Sequence, residues 1–119
     1  MAQLLKDRAQ EELEKLFRLA AAGVTDLTMP SKAIDDVWHA LLTERDAYER
    51  FSMAACGRVI AHRPNEGEGS VAWTREYESR FGMLDPIWFT DQSGVLDRAA
   101  YERYLDTGRF KASWDCSPE

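Results

Sequence analysis

Apolar residues that recur at intervals of three and four are the feature that most limits what this chain can fold into. In residues 3–21 they fall on one face of a helix and comprise Leu5, Ala9, Leu13, Leu16, Phe17 and Ala20. The other faces carry two acid–base pairs at i,i+4 spacing, Glu11 with Lys15 and Glu14 with Arg18. Gly23 is typical of a helix end, so the pattern predicts an amphipathic first helix over residues 3–21.

A second stripe follows Pro30, where Ser31 can cap a new helix. Its apolar members have the spacing of one buried face and are Ile34, Val37, Trp38, Leu41 and Leu42. The stripe shifts phase near Thr43 and Asp46, which resemble a capping box, so we expect a kink or a fresh helix start there. Further helices are predicted over residues 70–82 and 97–108, each ending at a glycine.

Strand signals are weak along the whole chain. Residues 61–69 favour a loop because they contain Pro64, Asn65, Gly67 and Gly69. The apolar run at residues 59–61 is too brief to build a sheet. The tail after Arg109 carries Phe110 and Trp114, so we expect part of it to dock on the body. We therefore predict an all-α fold, a compact orthogonal bundle of about four or five helices, in a single helical domain over residues 1–119.

Composition and charge limit the classes of protein to which this chain can belong. Hydrophobic residues make up 45% and charged residues 30%, which supplies both a packed core and a solvated surface. The first ten residues contain three charges where an export signal needs an apolar run, and no stretch has the roughly 20 apolar residues that span a bilayer. We therefore expect a cytoplasmic protein without membrane contact. Cys56 and Cys116 lack the spacing of a zinc ribbon and are expected to be free thiols.

The net charge of −6 lies almost entirely in the C-terminal half, where residues 64–119 hold eleven acids and six bases. An acidic surface repels phosphate backbones, so direct nucleic-acid binding is disfavoured. A role as an acidic mimic of nucleic acid, seated in a partner's basic groove, stays open on composition alone. Strong salt dependence of a complex would indicate that role.

Residues 30–64 read PSKAIDDVWHALLTERDAYERFSMAACGRVIAHRP, and Phe-Gly and Ile-Trp pairs follow at 81–82 and 87–88. Over about residues 30–89 the chain resembles the glycine-rich-domain-containing-protein-like family, with its P-S-x-x-[IV]-D-x-x-W-H-x-H-L-L and G-R-x-I-H-H-x-P patterns. Two histidines and a cysteine of that pattern are replaced here by Leu41, Ala61 and Ser52. The resemblance implies a compact helical domain and supplies no activity.

The two histidines of the chain lie within this motif. His39 follows Asp35 by one helical turn, and His62 lies farther along. Imidazole and carboxylate are ligands that zinc accepts, and a set of three such ligands suits an open, catalytic-type site. A zinc site at Asp35, His39 and His62 is therefore one hypothesis, and no other cofactor is expected.

A purely structural role for the same residues is the alternative. Asp35 can accept a hydrogen bond from His39, Trp38 and Tyr48 can fill the core, and His62 can bind a loop carbonyl or another side chain. A small-molecule or peptide pocket lined by these five residues also stays open. A Cys56 nucleophile is disfavoured, because the C-terminal end of a helix destabilises a thiolate.

Aromatic side chains outside the predicted helices suggest a function. Exposed aromatics are typical of protein-binding surfaces, and the candidates here are Trp88, Phe89, Phe110 and Trp114. We therefore expect a non-enzymatic interaction or regulatory module with a protein partner. The alternative is a metal-binding or small-ligand-binding protein with its site around Asp35, His39 and His62.

Overall fold

Five α-helices form about half of the part of the chain that the structure describes, close to the positions that the sequence predicts. The computed structural model describes residues 2–119. The helices are α1 (Gln3–Ala21), α2 (Lys32–Leu42), α3 (Arg45–Cys56), α4 (Thr74–Phe81) and α5 (Arg98–Thr107), and a short 3-10 helix covers Pro86–Phe89. Helix α1 packs against α2, α3 and α4. None of the helices in this described part of the chain is long and apolar enough to cross a bilayer.

The predicted helix starts at Ser31 and Asp97 are confirmed, whereas the helix predicted to begin at Ser70 begins at Thr74 and has no side-chain cap. Ser31 and Asp97 each accept a hydrogen bond from the backbone N–H three residues on. Helices α2 and α3 are separate, as the phase shift of the stripe predicts. The capping box does not form, because the Thr43 hydroxyl donates to the Ala40 carbonyl at 2.7 Å and leaves α3 without a side-chain cap.

The all-α prediction is wrong, because the chain also contains a two-stranded antiparallel sheet. Strand β1 (His62–Ser70) covers the segment predicted to be a loop, and strand β2 (Lys111–Pro118) covers the tail. His62 pairs with Pro118 at one end of the sheet, and Ser70 pairs with Lys111 at the other. The tail docks as predicted, but it docks as a strand. The two strands are distant in sequence, so no local periodicity could indicate that they pair.

The proline and glycine that favour a loop have specific places in this sheet. The register shifts between Pro64 and Gly67, so Pro64 lies beside a bulge, where a proline is tolerated. Gly67 packs against an indole ring, because a Cβ on this residue would lie 2.7 Å from Nε1 of Trp114. Residues that interrupt regular structure thus shape an irregular two-stranded sheet.

Gly67→Ala is expected to lower the free energy of unfolding by about 1 to 3 kcal/mol, because the added methyl group displaces the Trp114 indole. Urea unfolding followed by circular dichroism measures the change. In a Trp114→Ala background the overlap is removed, and the same glycine substitution should cost much less. Equal costs in both backgrounds would show that the indole is not the cause.

The aromatic residues outside the α-helices pack mainly into the core. Trp88, Phe89 and Phe110 are each at most 6% exposed, and Trp114 is half-buried. The rings of Phe89 and Phe110 lie with their centroids 4.4 Å apart. Three of the four aromatics therefore do not form the exposed binding surface that the sequence suggests.

One acidic side chain is buried in this core. Glu12 of α1 is 3% exposed. Its carboxylate accepts hydrogen bonds from the indole N–H of Trp88 at 2.9 Å, from Lys15 Nζ at 2.8 Å and from the Tyr77 hydroxyl. Burial raises the pKa of Tyr77, and the bond to Glu12 raises that pKa further. Lys15 thus binds Glu12, whereas its helical spacing predicts a pair with Glu11.

Candidate metal centre

Helix α2 places Asp35 and His39 on adjacent turns of one face. The start of this helix is fixed, because the Ser31 hydroxyl donates to the Ile87 carbonyl at 2.8 Å and the Ala33 N–H donates to a backbone carbonyl at the end of the 3-10 helix. A helix held at its first turn presents residues one turn apart in a defined direction. The helix therefore fixes the position of Asp35 relative to His39.

The connection before β1 brings His62 to this pair. The Ser52 hydroxyl of α3 donates to the Arg58 carbonyl and accepts from the Ile60 N–H, both at 2.7 Å. The Tyr48 hydroxyl donates to the Ile60 carbonyl at 2.5 Å. Two side chains of α3 thus fix the backbone two residues before His62. Ser52 stands where the resembled family pattern has cysteine, and sequence reasoning gave it no role.

Trp38 and Tyr48 form the wall behind the site. The Trp38 indole N–H donates to the Tyr48 hydroxyl at 3.1 Å, and both residues are buried. The ring of His62 packs edge-on against the Trp38 ring, with the centroids 4.4 Å apart. Burial raises the pKa of Tyr48, so its hydroxyl stays protonated and can donate. These two buried residues support the site from the core.

Asp35, His39 and His62 converge at one point. The Nε2 atoms of the two imidazoles are 2.9 Å apart, and each lies 3.4 Å from Oδ1 of Asp35. The Asp35 and His62 side chains are 18% and 22% exposed, whereas that of His39 is 57% exposed. The three potential ligand atoms thus form a small triangle that is buried on one side and open to solvent on the other.

The protons of the two rings decide what this triangle can do. Only one Nε2 can carry a proton in the 2.9 Å contact, and the other must offer its lone pair. When both rings hold their protons on Nδ1, both lone pairs are free to bind a cation. The arrangement therefore allows two states, a hydrogen-bonded cluster and a set of three ligands.

Strand β2 adds a residue that sequence reasoning missed. The Cys116 thiol is buried and donates to Oδ1 of Asp35 at 3.2 Å. Burial raises the pKa of Cys116 well above its ordinary value, and the hydrogen bond to Asp35 raises it further. Cys116 carries no motif, and its proximity depends on a strand pairing that the sequence did not indicate.

The cluster lies away from a wider feature of the surface. A depression of about 470 Å³ is lined by residues that include Arg58, Arg63 and Glu119, and by none of the three cluster residues. Arg58 donates to the main-chain carbonyl oxygen of Glu119 and Arg63 donates to its side-chain carboxylate, both at 2.7 Å. The chemistry of this depression is therefore a local ion-pairing arrangement at the surface.

A comparison with known families places this chain. The profile of the UCP032817-like family matches residues 3–79. The chain belongs to the UCP032817-like family. Within this family match lie Asp35, His39 and His62, whereas Cys116 lies beyond it. The UCP032817-like family is uncharacterised and supplies no activity, and searches of curated proteins and of solved structures gave no match. The resemblance to the glycine-rich-domain-containing-protein-like family stays a prediction.

Proposed function

We propose that this protein binds one divalent transition-metal ion, zinc foremost, through Asp35, His39 and His62. The observation that carries the proposal is the convergence of three ligand atoms from two distant segments, at separations of 2.9 Å and 3.4 Å. A triangle with these sides has a point about 2 Å from all three atoms, which is the length of zinc bonds to imidazole and carboxylate. An ion at this point needs little movement of the ligand atoms.

The proposed role of the ion is to stabilise the fold, with water in the position that the three protein ligands leave open. His39 belongs to α2 and His62 begins β1, twenty-three residues later. An ion shared by these segments joins the helix to the sheet and favours the folded state, because it binds the folded chain and has no preformed site in the unfolded one. At a free zinc concentration of about 100 times the Kd, the gain in stability is about 2.7 kcal/mol.

The alternative is a cluster held by hydrogen bonds alone. It uses the same contacts: the ring that carries a proton on Nε2 donates to the other ring, and the same N–H faces Oδ1 of Asp35 at 3.4 Å. It predicts a folded protein without affinity for metal ions, in which the histidine substitutions affect only stability. Metal binding and hydrogen bonding thus make opposite predictions for one measurement.

Zinc titration by calorimetry, together with metal analysis of the purified protein, tests the proposal. We expect one zinc ion per chain, and His39→Ala, His62→Ala and Asp35→Asn should each weaken binding by more than about 100-fold, since losing a ligand costs more than losing a residue that hydrogen-bonds to a ligand. Asp36→Asn is the matched control, because it removes a neighbouring carboxylate of the same helix and should leave the affinity unchanged. Folded wild-type protein that takes up no zinc would overturn the proposal.

The protein-interaction hypothesis stays a prediction. Three of the four aromatics on which it was based are buried, and no contact in the described residues 2–119 favours a particular partner. The cytoplasmic location and the weak affinity for nucleic acid also stay predictions. An acidic surface is compatible with all three.

A further inference from the structure

Oδ1 of Asp35 is the shared atom of the candidate metal centre. It faces the Nε2 atoms of both histidines, each at 3.4 Å, and the Cys116 sulfur at 3.2 Å. A carboxylate oxygen has two lone pairs, so it can accept a hydrogen bond from a thiol and bind an ion at the same time. Oδ1 of Asp35 thus accepts a hydrogen bond from Cys116 with one lone pair, and its other lone pair is available on the side of the histidines.

Cys116 contacts the carboxylate but does not belong to the ligand triangle. Its sulfur lies outside the group of ligand atoms that are all within 4.8 Å of one another. The thiol is therefore placed to orient Asp35, and the three converging ligand atoms belong to the other residues. Buried hydrogen-bond partners of metal ligands commonly have this effect, because they fix the direction in which the ligand points.

The backbone around Cys116 is tied to the start of α2. The Cys116 carbonyl accepts a hydrogen bond from the Met29 N–H at 3.0 Å. Lys32 Nζ, in the first turn of α2, lies 2.6 Å from the carboxylate of Asp115. Strand β2 is thus held both by α2 and by the segment that precedes it, and a displacement of β2 moves the donor away from Asp35.

We propose that Cys116 is a positioning residue of the metal site, an inference that rests on the proposed function. The Cys116 thiol holds the Asp35 carboxylate in the orientation that binds the ion. It thereby couples ion binding to the docking of strand β2. In this arrangement the ion favours the docked strand, and the docked strand favours the ion. By linkage the two effects have the same size.

Zinc affinity of cysteine variants tests the positioning role. Cys116→Ala removes the donor and should weaken zinc binding by about 10- to 100-fold. Cys116→Ser keeps a hydroxyl donor and should restore most of the affinity. Cys56→Ser is the matched control for a thiol outside the cluster and should bind zinc as the wild type does. If the alanine variant fails to fold, Cys116→Val fills the buried space, also lacks the donor and is expected to show the same loss.

Cobalt substitution distinguishes a positioning residue from a direct ligand. The wild-type protein loaded with Co²⁺ should show ligand-field bands without a thiolate-to-cobalt charge-transfer band, because the sulfur does not coordinate the ion. A charge-transfer band that disappears in Cys116→Ser would identify Cys116 as a fourth ligand and overturn the positioning role.

Hydrogen exchange of the amides of β2 tests the coupling. Zinc should slow exchange of these amides in the wild-type protein, and by a smaller factor in Cys116→Ala at zinc concentrations that saturate both proteins. Equal slowing in the two proteins would overturn the coupling.

The two proposals fail in different ways. A wild-type protein that binds no zinc would contradict both the proposed function and the positioning role that rests on it. A wild-type protein that binds zinc, with Cys116→Ala equal to it in affinity and in exchange, sinks the positioning role alone and leaves the metal site in place.

Discussion

Glu12→Ala is expected to lower the free energy of unfolding by about 3 kcal/mol, which is more than a typical surface substitution costs by several-fold. The substitution leaves the indole N–H of Trp88 and the Tyr77 hydroxyl without their acceptor inside the core. An unpaired buried donor costs about 1 to 3 kcal/mol, and the expected loss is the combined cost of two such donors. Urea unfolding monitored by tryptophan fluorescence and circular dichroism measures the change.

Two further variants isolate the cause of that loss. Glu14→Ala removes a partly exposed carboxylate of the same helix, bound to Arg18 at 2.8 Å, and should change stability by less than about 0.5 kcal/mol. Glu12→Gln keeps an acceptor oxygen of the same shape for Trp88 and removes the charge, so its cost should lie between the other two. A Glu12→Ala protein as stable as Glu14→Ala would show that the buried bonds contribute little.

The role of Glu12 shows what local spacing can and cannot predict. The apolar stripe of α1 is a local property, and it indicates the helix correctly. The pairing of Lys15 with Glu12 instead of Glu11 depends on Tyr77 and Trp88, which reach Glu12 from sixty-five and seventy-six residues away in sequence. A charged residue next to an apolar stripe predicts solvent exposure on average, and only the packed fold identifies the exception.

The sheet was missed for a related reason. Helices are stabilised by contacts three and four residues apart, so their pattern is visible in any short window of sequence. Strands β1 and β2 pair although residues 71–110 separate them in sequence, and Pro64 and Gly67 conceal the strand pattern at the bulge. The predicted fold class was therefore wrong, although most of the predicted helix positions were correct.

The candidate site also has a part that local sequence predicts and a part that only the folded chain brings together. The Asp35 and His39 pair follows from helical spacing, and His62 drew attention as the other histidine of the motif. Their convergence depends on Ser52 and on the Tyr48 hydroxyl, which hold the segment before His62. Cys116 could not be predicted, because its approach to Asp35 requires the sheet. Short-range chemistry was thus predictable, and the long-range contacts that assemble the site were not.

Trp38→Ala is expected to destabilise the protein by about 3 to 5 kcal/mol and to weaken zinc binding in the protein that remains folded. Trp38 is fully buried, and its ring packs on that of His62 with the centroids 4.4 Å apart. Removing the ring leaves a cavity and frees the imidazole to adopt other rotamers. A ligand that must be ordered before it binds lowers the affinity, because the cost of ordering it is subtracted from the binding energy.

Trp38→Phe separates these two effects. Phenylalanine keeps an aromatic ring beside His62 and removes the indole N–H that donates to Tyr48 at 3.1 Å. We expect a loss of about 1 to 2 kcal/mol in stability, from one hydrogen bond and a smaller ring, with zinc affinity close to that of the wild type. Calorimetric titration at a temperature where all three proteins are folded gives the comparison. Alanine and phenylalanine variants with equal zinc affinity would mean that His62 is held by its backbone alone, through the bonds of Ser52 and Tyr48 to the segment before it. The preorganisation of the metal site would then come from α3 and not from the Trp38 ring of α2.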